Sequence, residues 1–399
     1  MATPVSAALE LNHPDVLRRV NALRQADNFT NGFFLAREYL FLAAGLALSI
    51  GFYHYRESWG MAWAWNIPVT CVAIVWIGIG QHRLVQLGHE GSHYALFRNR
   101  VLNELASDWF CMFPIWSVTN NYRIQHLAHH QYVNDPERDP DLAFMEGSGH
   151  HFLFPMSRRR FFWTCVVKTA LWVPGLIRYM RIRSRHMNLG TGVGPYAPRR
   201  KGSRLLIPVG AAYVLTLAVT LGGLVTLGDP WLLAGVPAGL WLLIVAFYGL
   251  VPGRHYPQSL IKPDVSRRWV SVLRITHITL VFTCLAWLTY VTGEPWALYY
   301  AVLWVAPLLT TFAFFMILRE GIQHGGLGRE RFLHTRLFDG NPVMRFAVFP
   351  LGMDYHLPHH LFPMVPHYRL KQLHAVLQET QPYQEIAPLF RGCFTAGQP

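Results

Sequence analysis

Nine of the chain's 20 histidines stand in patterns that could grip metal. His89-Glu90-Gly91-Ser92-His93 sets two imidazoles four residues apart. His126-Leu127-Ala128-His129-His130 and His356-Leu357-Pro358-His359-His360 each set three within five residues. Positions three or four apart on an α-helix share a face, so each motif can turn its rings toward one ion or two neighbouring ions. A ninth, His324, ends the stretch Arg319-Glu320-Gly321-Ile322-Gln323-His324. Imidazole serves zinc, iron, copper and nickel alike, so residue type does not name the metal. Nine rings exceed what one zinc needs and suit two ions of about four to five ligands each. Two neighbouring redox metals at a membrane surface point to dioxygen activation. Glu90, Asp135, Asp139, Asp141, Glu320 and Asp354 lie close enough in sequence to accept the second imidazole N–H and fix ring orientation.

The elements that must hold these motifs are membrane helices. Of 399 residues, 52% are hydrophobic and only 14% charged, against about 25% charged in a soluble domain. Runs of about 20 apolar residues, the length that crosses roughly 30 Å of hydrocarbon, extend from Phe33 to Phe52, Met61 to Gly80, Leu205 to Leu227, Trp231 to Val251, Trp269 to Val291 and Trp296 to Leu318. Trp and Tyr crowd their ends as an interfacial belt does. Arg37 and Glu38 interrupt the first run, which places its start at Tyr39. The fifth contains Arg274 and His277, the latter expected as a buried polar group of the bundle.

Short connections at His54 to Gly60, Gly228 to Pro230 and Thr292 to Pro295 make tight hairpins, whereas Arg158 to Arg160, Arg178 to Arg185, Arg199 to Arg204 and Arg254 to Arg268 fill the long ones with positive charge. The positive-inside rule puts both termini, the long connections and all the histidine motifs in the cytoplasm. The first 30 residues are polar, so no secretory signal is expected. The fold class is therefore all-α integral membrane: about six spans, four of them a possible core, under a cytoplasmic helical cap. Residues 1–32 form a cytoplasmic segment, 33–80 a helical hairpin, 81–204 the cap with the first two motifs, 205–318 four spans, and 319–399 the cap with the third motif, all within one domain.

Leu102 to Val118 and Phe161 to Ile177 carry charges and a proline each and suit interfacial or re-entrant segments. Tyr368 to Thr380 has the spacing of a surface helix, Asn188 to Gly202 reads as a loop, and Pro358 marks a helix start. His13, His54, His150, His151, His186 and His374 suit polar tips in water; His82, His255, His334 and His367 are left open. The net charge of +13 fits phosphate headgroups and acidic redox partners better than nucleic acid. Five scattered Cys argue against a disulfide scaffold.

The three motifs and their order resemble the membrane fatty acid desaturase and hydroxylase superfamily, from about His82 to His374. Asn134-Asp135-Pro136, Asp139-Pro140-Asp141, His359-His360-Leu361-Phe362-Pro363 and Val365-Pro366-His367-Tyr368 add to the match. The resemblance implies a non-heme centre of two iron ions held by His89, His93, His126, His129, His130, His324, His356, His359 and His360. It also implies O2 as co-substrate, two external electrons per turnover, and a fatty acyl substrate carried as acyl-lipid or acyl-thioester. Gln323 precedes His324 where many relatives have Glu, and His356 opens the third motif where relatives fused to cytochrome b5 have Gln. The sequence contains no His-Pro-Gly-Gly heme motif, so electrons are expected from a separate ferredoxin or cytochrome b5 with its reductase. The expected activity is introduction of a C=C bond, with hydroxylation or ketolation of a lipid or carotenoid as the alternative. Two remoter readings are a zinc metalloprotease, using Glu90 of His-Glu-x-x-His as general base, and a histidine-rich metal transporter. The first leaves the other two motifs unexplained, and the second finds few ionisable residues along the spans beyond Arg274 and His277.

Overall fold

Six described helices are long and apolar enough to cross a membrane: Thr30–Tyr55, Trp63–Ser92, Leu206–Leu227, Pro230–Leu250, Arg267–Thr292 and Trp296–His324. At about 1.5 Å per residue each reaches roughly 30 Å or more. The computed structural model describes residues 11, 13–152, 154, 156–189, 195–197, 202–329, 334–338, 340–386 and 389–390. The hairpins turn where local chemistry dictates. Gly228 takes φ +72°, open to glycine without strain, and the Asp229 carboxylate accepts the amides of Trp231 and Leu232 to start the next span.

The first span does not begin at Tyr39. It starts at Thr30 and runs through Arg37 and Glu38. Glu38 is buried, and Arg83 of the second span grips it with Nε–Oε2 at 2.6 Å and Nη2–Oε1 at 2.8 Å. A charge that would shorten a lone span is tolerated because the neighbouring helix supplies its counter-ion.

The second span likewise outlasts its apolar run. Asn66–Ser92 is one unbroken α-helix, so the first histidine motif occupies its last turn. Two glycines let it pack closely: a Cβ at Gly78 would collide with Thr311 of the last span, and one at Gly91 with Ser107. The last span is less regular. Around Pro307, which removes an amide from the ladder, it passes through a π-turn at Ala301–Val305 and breaks at Thr310 before resuming as Thr311–His324.

Neither Leu102 to Val118 nor Phe161 to Ile177 spans. The former is a helix, Arg100–Ala106, then a π-turn, then the short turn Phe113–Ile115, closed by Trp116 with φ +61°. The Trp116 carbonyl accepts Arg274 of the fifth span at 2.7 Å, and half-buried His277 sets its ring edge against Trp109 and Phe113. The two polar residues of that span thus face this segment. The second stretch breaks at Trp172 and continues as the helix Val173–Leu189. Asn188 and Leu189 therefore finish a helix; most of the expected loop up to Gly202 lies outside the described residues, as do Arg199, Arg200 and Lys201.

The surface helix is Leu370–Gln378, with Leu370, Leu373, Val376 and Leu377 buried. Arg19 of the helix Pro14–Leu23 pairs with Glu379 just beyond it. Leu337–Phe338 and Leu389–Phe390 make a two-residue parallel ladder.

Candidate metal centre

Four separate segments deliver the nine histidines to one place. His89 and His93 come from the last turn and end of the second span, and His324 is the final residue of the last span. His126, His129 and His130 lie on the helix Thr119–Tyr132, and His356, His359 and His360 on His356–Leu361, where Pro358 sits in the first turn as its missing amide requires.

The rings sort into two groups. His89, His93, His126, His130 and His359 bring ligand atoms within 4.8 Å of one another, and His129, His324 and His360 do the same. His356 joins the second group, its Nε2 2.8 Å from that of His324 and 3.1 Å from that of His360. The two H-x-x-H-H motifs divide reciprocally. The i, i+4 pair His126 and His130 serves the first group while His129 crosses to the second; the pair His356 and His360 serves the second while His359 crosses to the first.

Neighbouring groups set the rings. His129 Nδ1 donates to Asp139 at 3.0 Å, and His324 Nδ1 donates to the His334 carbonyl at 2.9 Å. Gln86, whose oxygen is held by Arg319, meets His89 Nδ1 at 2.8 Å. The Arg123 guanidinium donates to the Gly91 and Ser92 carbonyls, both at 2.8 Å, at the C-terminal end of the second span, and pairs with buried Glu104 at 2.5 Å. Arg123 thereby caps the helix that carries the first motif from the helix that carries the second.

Of the six carboxylates expected around the ligands, Asp139 orients His129, with Asp141 3.8 Å away and Glu320 in the same cluster. Glu90 lies 3.5 Å from His89 and accepts the His367 amide at 2.8 Å. Asp135 instead binds Arg138, and Asp354 binds Arg345. Sequence proximity alone had suggested both for the histidines; local turns claim them.

Histidines outside the motifs also depart from expectation. His150 is buried and bonded to Ser148 at 2.9 Å rather than solvent-facing. His186 stacks on Phe144, and part-buried His374 bonds Tyr383. His13, His54 and His151 are exposed as expected. His82, His334 and His367 are buried, and His255 is intermediate. The roles of Gln86, Arg123 and the His334 carbonyl carry no signal in local sequence, because each contact joins distant segments or depends on the fold.

The donor set suits metal. Burial first, then adjacent imidazoles, hold the pKa values of His126, His130, His356 and His360 well below the usual histidine range, leaving the rings neutral. His129 differs: burial opposes its charged form, but Asp139, Glu320 and Asp141 outweigh it and push the pKa up to about 10. With Nδ1 donating to the His334 carbonyl, His324 turns its Nε2 toward that of His356. The Nδ1 atoms of His126, His130, His356, His359 and His360 are buried without hydrogen-bond partners among the described residues. Crowded neutral imidazoles whose Nε2 atoms face one another at 2.8–3.2 Å fit coordination better than packing. The metalloprotease reading fares worse, since a general base should face an open metal position, whereas the Glu90 carboxylate accepts the His367 amide.

Asp139→Asn keeps the shape of this residue and removes its charge. We expect a 10- to 100-fold loss of metal affinity or activity, roughly the usual effect of losing such an orienting group, read by metal content of purified protein and by turnover.

The fatty acid desaturase family matches residues 63–260 and 254–390, an interval that contains all nine clustered histidines. Dihydrorhizobitoxine desaturase from Bradyrhizobium elkanii is 23% identical over 392 residues, covering 96% of this chain and 85% of that protein. Taken with the helical membrane architecture and the gathered motifs, a family match across most of its length shows that this chain belongs to the fatty acid desaturase family.

Proposed function

We propose that the protein is an O2-dependent desaturase that introduces a C=C bond into a fatty acyl chain, carried as acyl-lipid or acyl-thioester. The observation that carries the proposal is the pair of adjoining imidazole groups, five and four rings drawn from four segments. His89, His93, His126, His130 and His359 would hold one iron, and His129, His324, His356 and His360 the other. Bound iron supplies dioxygen activation and removal of hydrogen from an unactivated C–H bond. Overall, one O2, two electrons and two protons convert a –CH2–CH2– unit to –CH=CH– and two waters.

The chain's own part is placement and exclusion. Asp139 and the His334 carbonyl fix two rings, Arg123 locks the first two motifs together, and burial of the imidazoles keeps bulk water from the reacting carbon. The Arg-rich connections support a cytoplasmic centre and cytoplasmic termini, within reach of a soluble ferredoxin or cytochrome b5 with its reductase. Electron delivery should therefore weaken as salt rises, because the basic face is screened from an acidic carrier. Turnover against carrier concentration at low and high ionic strength checks this; salt-independent coupling would remove the electrostatic contribution.

The function itself is tested by expressing the chain in a desaturase-free host with both electron carriers, beside a His126→Ala control, and localising double bonds by mass spectrometry. Water-soluble extracts are profiled as well, since the relative's name specifies dihydrorhizobitoxine. A new alkene made only by the intact chain is the expected result. A product heavier by one oxygen would replace desaturation with hydroxylation, and an unchanged profile from iron-loaded protein would count against the acyl substrate.

A further inference from the structure

A cleft of about 390 Å³ opens on the same end of the bundle as the imidazoles, on a different face of the second span, and its lining includes Arg37, Arg83, Arg345, Phe34, Phe346 and Tyr368. Arg83 and Glu90 are seven residues apart on one helix, so they stack on one face, whereas His89 points about 100° away. The His367 amide, which bonds Glu90, belongs to another wall of the cleft.

Two guanidinium groups, those of Arg37 and Arg83, share the one carboxylate of Glu38, while Arg345 pairs with Asp354. His367 adds none: burial, then Arg37, hold its pKa down at about 3. Arg83 is fully engaged in structure, bonded to both Glu38 oxygens and to the Phe346 carbonyl. Arg37 is different. Half its side chain is exposed, and its Nε and Nη2 both donate to the single oxygen Glu38 Oε1, a use of the guanidinium that leaves further N–H donors for a ligand. The Phe34 ring under its guanidinium, 4.8 Å away, holds it in place.

The surroundings decide what kind of anion fits. The short helix Pro342–Ala347 borders the cleft with Val343 and Phe346 exposed at 73% and 42%, and Phe33, next to Phe34 in the first span, is 77% exposed. A positive centre framed by bare apolar side chains at a span's end matches the level where phosphate headgroups meet acyl chains. A soluble anion would gain nothing from that apolar frame.

We propose that this cleft is a headgroup site for an anionic phospholipid, with Arg37 as the principal contact to the phosphate. The site is separate from the histidine centre and does not depend on which chain is desaturated.

The experiment is native mass spectrometry of the full, iron-loaded chain in neutral detergent, titrated with phosphatidylglycerol or phosphatidylcholine. Wild-type protein should retain one phosphatidylglycerol in preference to phosphatidylcholine. Arg37→Gln should weaken that retention about ten-fold or more, as loss of a charge-assisted contact does, while Arg37→Lys keeps part of it. Arg178→Gln, an exposed arginine on another helix, should leave it unchanged. Equal retention of the two lipids, an undiminished Arg37→Gln, an equal loss in Arg178→Gln, or displacement by inorganic phosphate at the same concentration as by lipid would each overturn the proposal. Iron content measured on the same samples shows whether a variant has kept its fold.

Discussion

His126→Ala or His359→Ala abolishes product and lowers bound iron, while the protein remains in the membrane fraction. Both rings belong to the five-membered group, and His126 lies 2.9 Å from His130 through its Nε2. Neither residue sits in a span, so insertion, driven by six apolar helices, does not depend on them. Loss of one imidazole from a buried set removes a ligand that no solvent-exposed neighbour replaces. The measurement is product by mass spectrometry together with iron per mole of purified protein. Full activity in either variant would sink the assignment of these histidines to iron.

Arg123→Met produces the largest loss of stability, of order 3–5 kcal/mol, the range for removing one partner of a buried ion pair. Glu104 is then left buried without its counter-ion, the Ser92 carbonyl loses the guanidinium donor, and the Gly91 carbonyl keeps Asn103 and the Tyr94 amide. Burial already pushes the Glu104 carboxyl up, with Arg123 opposing it. The double variant Arg123→Met, Glu104→Gln removes the stranded charge and should recover part of the loss, as a double-mutant cycle on thermal unfolding in detergent would show. A single variant as stable as wild type would mean that the pair contributes nothing.

The spans and the histidine motifs were legible because each is a local pattern: 20 apolar residues in a row, or rings at helical spacing. Errors arose where the fold gives a side chain a different partner from the one its spacing suggests. Glu38 looked like a reason to start the first span late, but Arg83, 45 residues away, neutralises it. His150 looked like a polar tip until Ser148 and the surrounding helices covered it. Asp135 and Asp354 stood near the ligands in sequence yet belong to arginines. The division of the nine rings was also beyond reach, since spacing shows that His126, His129 and His130 share a helix but not which ring faces which neighbour.

Under the proposed assignment, that division would tie the two ions to each other. The helix that gives two rings to one group gives its third to the other, and the short helix of the last motif does the reverse. On the proposed two-iron reading, whichever ion arrived first would engage both helices and so hold the rings awaiting the second. The ordering entropy would then be spent once for the pair, iron loading would be cooperative, and protein carrying a single ion would be scarce when iron runs short.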